Sequence, residues 1–310
     1  MRRRMRARYA SRRGMAPPTD LVRRDLVVGT VARTCWLAPL PPGGAVGAPV
    51  LLALHGAGGQ GPGMAALTGL STRGPAAGFV TVFPDGIARV WNDDREGAQQ
   101  LRRRQGVDDV GFLRAALAQL TAEGVGGGPT YLAGISNGSF MAEHVARLGL
   151  LDVAGVALVA GPGTQRARVR QLRPVRPTNV LVFSGTADPL VPYAGGPIGP
   201  LGRMVQRRAG ATDPGRGLTV PAEAAAADWA TANGITTAPE VAWLDPPPGD
   251  LAVTRSTWQA EGRPTVSLYR IERGGHTWPG GAPYLPERFI GRVARGLDAT
   301  GIILHTFASR

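Results

Sequence analysis

The chain has 310 residues, of which 43% are hydrophobic, so it is long enough to bury a sizeable core. Its formal net charge is +13, and every cationic side chain is an arginine because lysine does not occur. Seven arginines lie within residues 1–14, and the rest of the chain has no basic stripe interleaved with aromatic residues. Nucleic-acid binding is therefore not expected.

The beginning of the chain differs in composition from the rest. Residues 1–25 are predicted to form a disordered, arginine-rich tail, and residues 26–310 a single catalytic domain. The tail has the charged start of a signal peptide but not the apolar segment of about 7–15 residues that should follow. No apolar run reaches the roughly 18 residues of a membrane span. The sequence as written predicts a cytoplasmic protein, with secretion as the alternative if the true N-terminus differs.

Apolar runs and amphipathic segments alternate along the chain. Continuous apolar runs such as residues 49–54 are typical of strands covered on both faces in a parallel sheet. Residues 195–217, rich in glycine, proline and arginine, are expected to be a flexible excursion. The alternation predicts an α/β fold with a mostly parallel sheet and helices on both faces. In chain order, the predicted elements are one or two edge strands over 27–40, a strand at 49–54, a helix near 63–73, a strand at 79–83, a helix at 109–120, a strand ending at 131–133, a helix at 140–148, strands at 153–160 and 179–183, a helix at 221–233, a last strand at 266–271 and a final helix at 294–308.

A Gly-x-Ser-x-Gly pentapeptide, Gly134 to Gly138, lies between an apolar run and a helical pattern. Strand, Gly-x-Ser-x-Gly and helix in that order are typical of the nucleophile elbow of α/β-hydrolases. The serine of such an elbow lies in a strained turn, where side chains two residues before and after it would collide. The pattern predicts that Ser136 is a nucleophile at the start of a helix.

A serine hydroxyl needs a base to accept its proton and an acid to orient that base. Ser136, Asp188 and His276 follow one another in the order that α/β-hydrolases use. Each comes just after an apolar strand, where ligands bind in open α/β sheets. We therefore predict Ser136 as nucleophile, His276 as general base and acid, and Asp188 as the group that fixes the tautomer of His276.

An acyl-transfer site also needs two backbone N–H groups for the oxyanion. One should come from the residue after the nucleophile, which is Asn137. The other should come from the glycine-rich loop His55-Gly56-Ala57-Gly58-Gly59, with Ala57 as the predicted donor and Gly58 as the alternative. His55 itself is expected to support the loop rather than to catalyse.

Two other interpretations compete with this one. Gly56 to Gly61 matches the G-x-G-x-x-G pattern of dinucleotide-binding proteins, and Asp85 ends the next strand, although it comes late for that role. Asp85 and the adjacent pair Asp108 and Asp109 could each supply a rival acid, but helix capping explains the pair better. No residue spacing predicts a metal site, and the absence of lysine excludes a P-loop.

Seven motifs follow one another along the chain: Leu54-His55-Gly56, Phe83-Pro84-Asp85-Gly86, Trp91-Asn92-Asp93, Val107-Asp108-Asp109-Val110-Gly111-Phe112, Gly134-Ile135-Ser136-Asn137-Gly138, Gly185-Thr186-Ala187-Asp188-Pro189 and Gly274-Gly275-His276-Thr277-Trp278-Pro279-Gly280-Gly281. In this order they resemble the motifs of the polyhydroxybutyrate depolymerase-like esterases, which belong with the feruloyl and acetyl-xylan esterases of carbohydrate esterase family 1. The likeness runs from about residue 27 to residue 308.

The resemblance implies a carboxylesterase that works through an acyl-enzyme, with the predicted triad and without a metal or organic cofactor. Hydroxycinnamoyl esters, acetylated sugars, hydroxyalkanoate oligomers and short aryl or alkyl esters are the candidate substrates. Acyl transfer to an alcohol would use the same residues. Trp91 and Trp278 could line the acyl pocket, and packing in the core or at the rim is the alternative for both. Many exported members carry disulfides, which the single Cys35 cannot form within the chain.

Overall fold

The computed structural model describes residues 18–93, 95, 107–164, 176–199 and 218–309. Outside the described residues lie residues 1–17 of the predicted tail, residues 200–217 of the predicted excursion, and the arginine-rich segment 165–175. The strands are β1 (Val22–Val28), β2 (Val31–Leu37), β3 (Val50–Leu54), β4 (Val80–Pro84), β5 (Thr130–Ile135), β6 (Gly155–Val159), β7 (Asn179–Gly185), β8 (Gly196–Pro197), β9 (Leu218–Thr219), β10 (Glu240–Leu244), β11 (Val253–Trp258) and β12 (Val266–Ile271). The helices are α1 (Gly61–Thr68), α2 (Leu70–Ala76), α3 (Asp109–Ala122), α4 (Asn137–Arg147), α5 (Ala222–Ala232), α6 (Glu287–Ile290) and α7 (Ala299–Ala308).

One 10-stranded sheet runs through the described residues in the order β1-β2-β4-β3-β5-β6-β7-β12-β11-β10. The six central strands, from β4 to β12, are parallel. Antiparallel pairs flank them, β1 and β2 on one side and β11 and β10 on the other. The predicted mostly parallel sheet is therefore confirmed for the part of the sheet that carries the candidate site.

Helices cover both faces of the sheet, as predicted. One apolar cluster packs α3, α4 and α5 against one face of the central strands, and a second packs α1, α2 and α7 against the other. Strands β3, β4, β6 and β7 are buried along their whole length. Burial on both faces explains why these strands are continuous apolar runs instead of alternating patterns.

The first strand begins at Val22, earlier in the chain than residue 26, where the catalytic domain was predicted to begin. It pairs with β2 through a tight turn in which Gly29 has a φ of 61°. The prediction was wrong because β1 is an edge strand with arginine and aspartate among its exposed residues, so it lacks an apolar run. Arg23 and Asp25 pair with each other on its exposed side.

Strands β10 and β11, at one end of the sheet, were not predicted. In the sequence they come between α5 and β12, and their residues are mostly half-buried or exposed. Their hydrophobic pattern is accordingly weak, and only the pairing of β11 with β12 and of β10 with β11 identifies them as strands.

Two predicted helices have different bounds in the structure. The segment predicted as one helix near 63–73 forms α1 and α2, which are separated by Gly69 in the left-handed conformation (φ 66°). The last helix starts at Ala299 and not near Ala294, because the Asp298 side chain caps it by accepting from the Gly301 N–H. By contrast, the predicted cap Asp108 is confirmed, since its carboxylate accepts from the Gly111 N–H at 2.7 Å.

Among the helices of the described ranges, none combines the length and apolar character that a crossing of the lipid bilayer requires.

Candidate active site

The candidate residues follow parallel strands, so they meet at one edge of the sheet. His55 follows β3, Ser136 follows β5, Asp188 follows β7 and His276 follows β12. These strands run in the same direction, and their carboxyl ends form the edge at which open α/β sheets bind ligands.

Ser136 occupies a strained turn between β5 and α4. Its φ is 57° and its ψ is −121°. Residues other than glycine rarely adopt this backbone conformation, which costs roughly 1–3 kcal/mol. A Cβ on Gly134 would overlap the carbonyl of Gly138, and a Cβ on Gly138 would overlap the carbonyl of Leu54. The steric reason predicted for the two glycines is therefore confirmed.

Asp188 and His276 form a buried hydrogen-bonded pair. The Oδ2 atom of Asp188 lies 2.7 Å from Nδ1 of His276, and each side chain is only 2% exposed. The other carboxylate oxygen accepts the backbone N–H groups of Leu190 and Val191 at 2.8 and 2.9 Å. The Asp188 side chain is thus fixed by three hydrogen-bond partners, and an imidazole that donates to it from Nδ1 has its lone pair on Nε2.

Backbone contacts hold the loops that carry this pair. The Ala187 N–H donates to the Gly274 carbonyl at 2.9 Å, and a Cβ on Gly185 would overlap that same carbonyl. The His276 N–H donates to the Ile290 carbonyl at 2.6 Å, and the Tyr284 hydroxyl donates to the His276 carbonyl at 3.0 Å. The loop after β12 is thus fixed against both the loop after β7 and α6.

The structure does not join all three predicted triad residues by hydrogen bonds. Within the described part of the chain, neither the Ser136 hydroxyl nor Nε2 of His276 has a hydrogen-bond partner, whereas Nδ1 of His276 is bonded to Asp188. Hydrogen bonds between nucleophile and base commonly tighten only when substrate is bound.

The glycine-rich loop after β3 lies beside the serine. A Cβ on Gly56 would lie 3.4 Å from Cβ of Ser136, at van der Waals contact. The N–H of Gly58 already donates to the Arg89 carbonyl at 2.7 Å, whereas the Ala57 N–H has no acceptor among the described residues. Asn137 is the first residue of α4, so its N–H lacks an intrahelical acceptor. The free amides favour Ala57 over Gly58 as the second donor.

His55 supports this loop, as expected. Its Nε2 accepts the Gly86 N–H at 3.0 Å, so the neutral ring carries its proton on Nδ1, which donates to the Gly56 carbonyl at 2.9 Å. Burial lowers the pKa of the His55 imidazole because the charged form would lose its hydration. Both ring nitrogens are occupied by backbone groups, so His55 has no free nitrogen for proton transfer.

Trp91 is buried, with 1% of its surface exposed, and its polar groups are bonded inside the protein. Its indole N–H donates to the His55 carbonyl at 2.8 Å, and its backbone bonds to the side chain of Asn137. Trp278 is equally buried, and its indole N–H donates to the Thr300 hydroxyl at 2.9 Å. This burial favours the packing alternative for both tryptophans, and a direct substrate contact stays a prediction.

The side chains of Asn137 and Asp93 have roles that the sequence reasoning missed. Asn137 was predicted only as a backbone donor, yet its carboxamide holds residues 91–93 through three hydrogen bonds. Asp93 is 1% exposed and also pairs with Arg95 at 2.5 Å. The Trp91-Asn92-Asp93 motif was a sequence signal for these roles, but it does not identify the partner, because Asn137 is far away in the sequence.

Glu143 is a buried carboxylate on α4, behind the serine turn. Burial raises its pKa, while Arg147 one turn further along the helix bonds to it at 3.0 Å and opposes that shift. The guanidinium of Arg147 lies 4.4 Å from the centroid of the Trp229 ring. This pair fixes α4 against α5.

The rival acidic residues have structural partners. Asp109 forms an ion pair with Arg33 at 2.6 Å, and both side chains are only 1% exposed. Asp85 accepts the Gly61 N–H at 2.5 Å and the Trp36 indole N–H at 3.0 Å. Asp85 therefore occupies the amide at the start of α1 to which a dinucleotide phosphate would bind, which weakens the dinucleotide interpretation.

The remaining histidines lie on helices away from the triad loops: His144 is half-buried on α4 and His305 is exposed on α7. In the described ranges, no group of three or more histidine, cysteine or carboxylate side chains could hold a metal ion.

A search of family models gives no match to this chain. The curated protein named "Putative esterase NocK", from Nocardia uniformis subsp. tsuyamanensis, is 32% identical over 292 residues, which are 93% of this chain and 82% of that protein. Among solved structures, an acetyl xylan esterase from Aspergillus awamori superposes with a TM-score of 0.53 at 11% identity, covering 83% of this chain and 94% of that one.

The structural match supports the fold, and the sequence match over most of both chains supports the family. The chain belongs to the esterase family that includes NocK, and its fold is that of the α/β-hydrolases.

Proposed function

We propose that this esterase is a serine carboxylic-ester hydrolase that works through an acyl-enzyme. The observation that carries the proposal is the buried hydrogen bond between Asp188 and His276, at the sheet edge that also presents the strained Ser136. In this mechanism Nε2 of His276 takes the proton of the Ser136 hydroxyl as its oxygen attacks the ester carbonyl. The imidazolium then protonates the leaving alcohol, and the acyl group stays on the serine.

The second half of the reaction repeats these steps with water. His276 takes a proton from water, the hydroxide attacks the acyl-enzyme, and the proton returns to the serine oxygen as the acid leaves. Asp188 keeps the imidazole in the reactive tautomer and stabilises its charged form. The N–H groups of Ala57 and Asn137 stabilise the negative oxygen of each tetrahedral intermediate.

Removing the nucleophile tests the proposal directly. The Ser136→Ala variant should lose the hydrolysis of p-nitrophenyl acetate and butyrate by about 10⁴-fold or more in kcat, because the acyl-enzyme can no longer form. Ser256→Ala on β11, a serine away from the site, should keep the wild-type rate. Ester cleavage that survives in Ser136→Ala would contradict the proposal.

The substrate class rests on the resemblance to carbohydrate esterase family 1. Ethyl ferulate, acetylated xylan and hydroxybutyrate oligomers represent the three acyl classes in that group. The ratio of kcat/KM values over these substrates, measured with the same enzyme preparation, identifies the class, because specificity is a difference in transition-state binding. Equal rates on all three, below the rate on p-nitrophenyl butyrate, would indicate a short-chain esterase outside that group.

A further inference from the structure

The two proposed oxyanion donors lie on separate elements that a buried tryptophan connects. We propose that Trp91 is a positioning residue, which fixes the N–H groups of Ala57 and Asn137 relative to each other. The proposal rests on the esterase function proposed above and names a residue that supports its transition state without contacting the substrate.

On one side, Trp91 is fixed to the residue that follows the nucleophile. Oδ1 of Asn137 accepts the Trp91 N–H at 2.7 Å, and Nδ2 of Asn137 donates to the Trp91 carbonyl at 3.1 Å. The same Nδ2 donates to Oδ2 of Asp93 at 2.5 Å. A carboxamide that bonds both backbone groups of one residue resists rotation, so Asn137 and Trp91 behave as one unit.

On the other side, Trp91 is fixed to the glycine-rich loop. Its indole N–H donates to the His55 carbonyl at 2.8 Å, and its ring lies 5.0 Å from the His55 ring, centroid to centroid. His55 in turn bonds to the carbonyl of Gly56 through Nδ1. The Gly56 carbonyl and the Ala57 N–H belong to the same planar peptide group, so fixing the carbonyl also fixes the direction of the N–H.

The tryptophan segment is itself anchored, so it can transmit this constraint. The Asn92 N–H donates to Oδ2 of Asp109 at 2.7 Å, and Asp109 is held by the buried Arg33. The preceding residues also touch the loop, where the Arg89 carbonyl accepts from Gly58. Ala88 and Arg89 both have positive φ values, of 50° and 64°. Such strain persists only where the surrounding structure enforces it.

Position matters here because an oxyanion site works only when its donors are already in place. One donor contributes about 10²–10³-fold in kcat, and a displacement of about 1 Å can cost about 10²-fold. Trp91 and Asn137 are buried, so water does not replace a lost hydrogen bond easily.

The test replaces the indole while keeping an aromatic ring. In Trp91→Phe we expect kcat for p-nitrophenyl butyrate to fall about 10- to 100-fold with KM changed by less than about threefold, because only transition-state stabilisation is affected. Butylboronic acid provides an independent measurement. Its boron bonds to the serine oxygen, the serine proton passes to His276, and one oxygen of the tetrahedral adduct occupies the oxyanion site. Its inhibition constant should rise by about the same factor as kcat falls.

Trp229→Phe is the matched control. Trp229 is fully buried on α5, and its indole N–H has no hydrogen-bond partner among the described residues. This variant loses the same volume from the core, so it should be destabilised while its kcat and boronate affinity stay within about twofold of wild type. An equal loss of kcat in Trp229→Phe would show that loosened packing, and not the bridge, explains the effect.

Asn137→Ala gives a second test from the other end of the bridge. It keeps the backbone donor and removes the three side-chain hydrogen bonds, so it should show the same pattern even if Trp91→Phe does not fold. The double variant should lose little more than the worse single variant, because both break the same link.

Wild-type kcat in a folded Trp91→Phe, or a lower kcat with unchanged boronate affinity, would overturn the inference alone. Ester hydrolysis that survives in Ser136→Ala would instead remove the proposed function, and the inference with it.

Discussion

At the scale of residues, two buried histidines at the same edge of the sheet differ in their bonding. Both ring nitrogens of His55 are bonded to backbone groups. His276 is bonded to a carboxylate through Nδ1, and its Nε2 has no partner in the described ranges. An imidazole acts as a base only through a nitrogen with an available lone pair. The pattern of partners, more than the position after a strand, therefore distinguishes the candidate base from the supporting residue.

Changing the acid of the pair tests the role of the tautomer. In Asp188→Asn the amide would donate to Nδ1 of His276 and place the ring proton on Nε2. That atom then has no lone pair to accept the proton of the Ser136 hydroxyl. We expect kcat to fall by about 10⁴-fold with KM little changed, measured with p-nitrophenyl butyrate near neutral pH.

Asp250→Asn is a suitable control for that change. Asp250 also accepts backbone N–H groups, from Leu251, Arg295 and Gly296, but it contacts no histidine. Its kcat should match the wild type. A rate in Asp188→Asn close to wild type would exclude Asp188 as the orienting acid.

At the scale of elements, a buried ion pair connects the strand β2 to the helix α3. Arg33 lies on β2 and Asp109 begins α3, and the guanidinium also lies 3.9 Å from the centroid of the Phe112 ring. Two charges removed from water are tolerated only when each compensates the other. The pair therefore holds α3 in place and, through Asn92, the segment that carries Trp91.

Removing one member of this pair should strongly destabilise the fold. In Asp109→Ala the Arg33 guanidinium stays buried without its partner, so we expect the free energy of unfolding to fall by about 3–5 kcal/mol in urea denaturation. Asp25→Ala removes the partner of Arg23 in an exposed pair on β1 and should leave the unfolding midpoint unchanged. Similar midpoints for Asp109→Ala and wild type would contradict this account of α3.

At the scale of the whole molecule, a single sheet carries the site, and its stability depends on groups that stay uncharged when buried. His55 is one of them, because burial lowers its pKa below the ordinary value of 6.5. Well above pH 6.5 the imidazole is neutral in both folded and unfolded chains, so its contribution to stability is complete there. Below that pH the unfolded chain binds a proton that the folded chain does not bind, and stability falls.

This titration can be measured as the difference in the free energy of unfolding between wild type and His55→Gln. The variant loses the hydrogen bonds of His55 at every pH, but it lacks this titration. The stability advantage of wild type should therefore shrink as the pH falls from about 6.5 towards 5, by at most about 1.4 kcal/mol per pH unit. Thermal melts at several pH values measure it. Thr121→Ala, which removes an exposed hydroxyl on α3 and no titratable group, should give a constant difference. A difference that grows on acidification would contradict the neutral buried state of His55.

The central part of the fold and the identity of the candidate catalytic residues could be predicted from the sequence alone. The buried parallel strands are continuous apolar runs, and the glycines around Ser136 have a local steric cause. Because parallel strands end at the same edge, the positions of Asp188 and His276 after apolar strands were enough to predict that they share that edge. Family membership agrees with the chemistry these residues indicated, while the narrower subfamily, the catalytic roles and the substrates stay predictions.

The partners of the other polar groups could not be predicted in this way, because they depend on the packing of the folded chain. The strands β10 and β11 carry little apolar periodicity, so the pairing of β11 with β12 and of β10 with β11 was needed to identify them. Asp85 accepts the first N–H of α1, the Gly58 N–H donates to the Arg89 carbonyl, and Trp91 connects His55 with Asn137. Each of these contacts joins residues well separated in the sequence. Local sequence patterns indicate which residues are buried, but the partner of a buried polar group depends on how distant segments of the chain pack together.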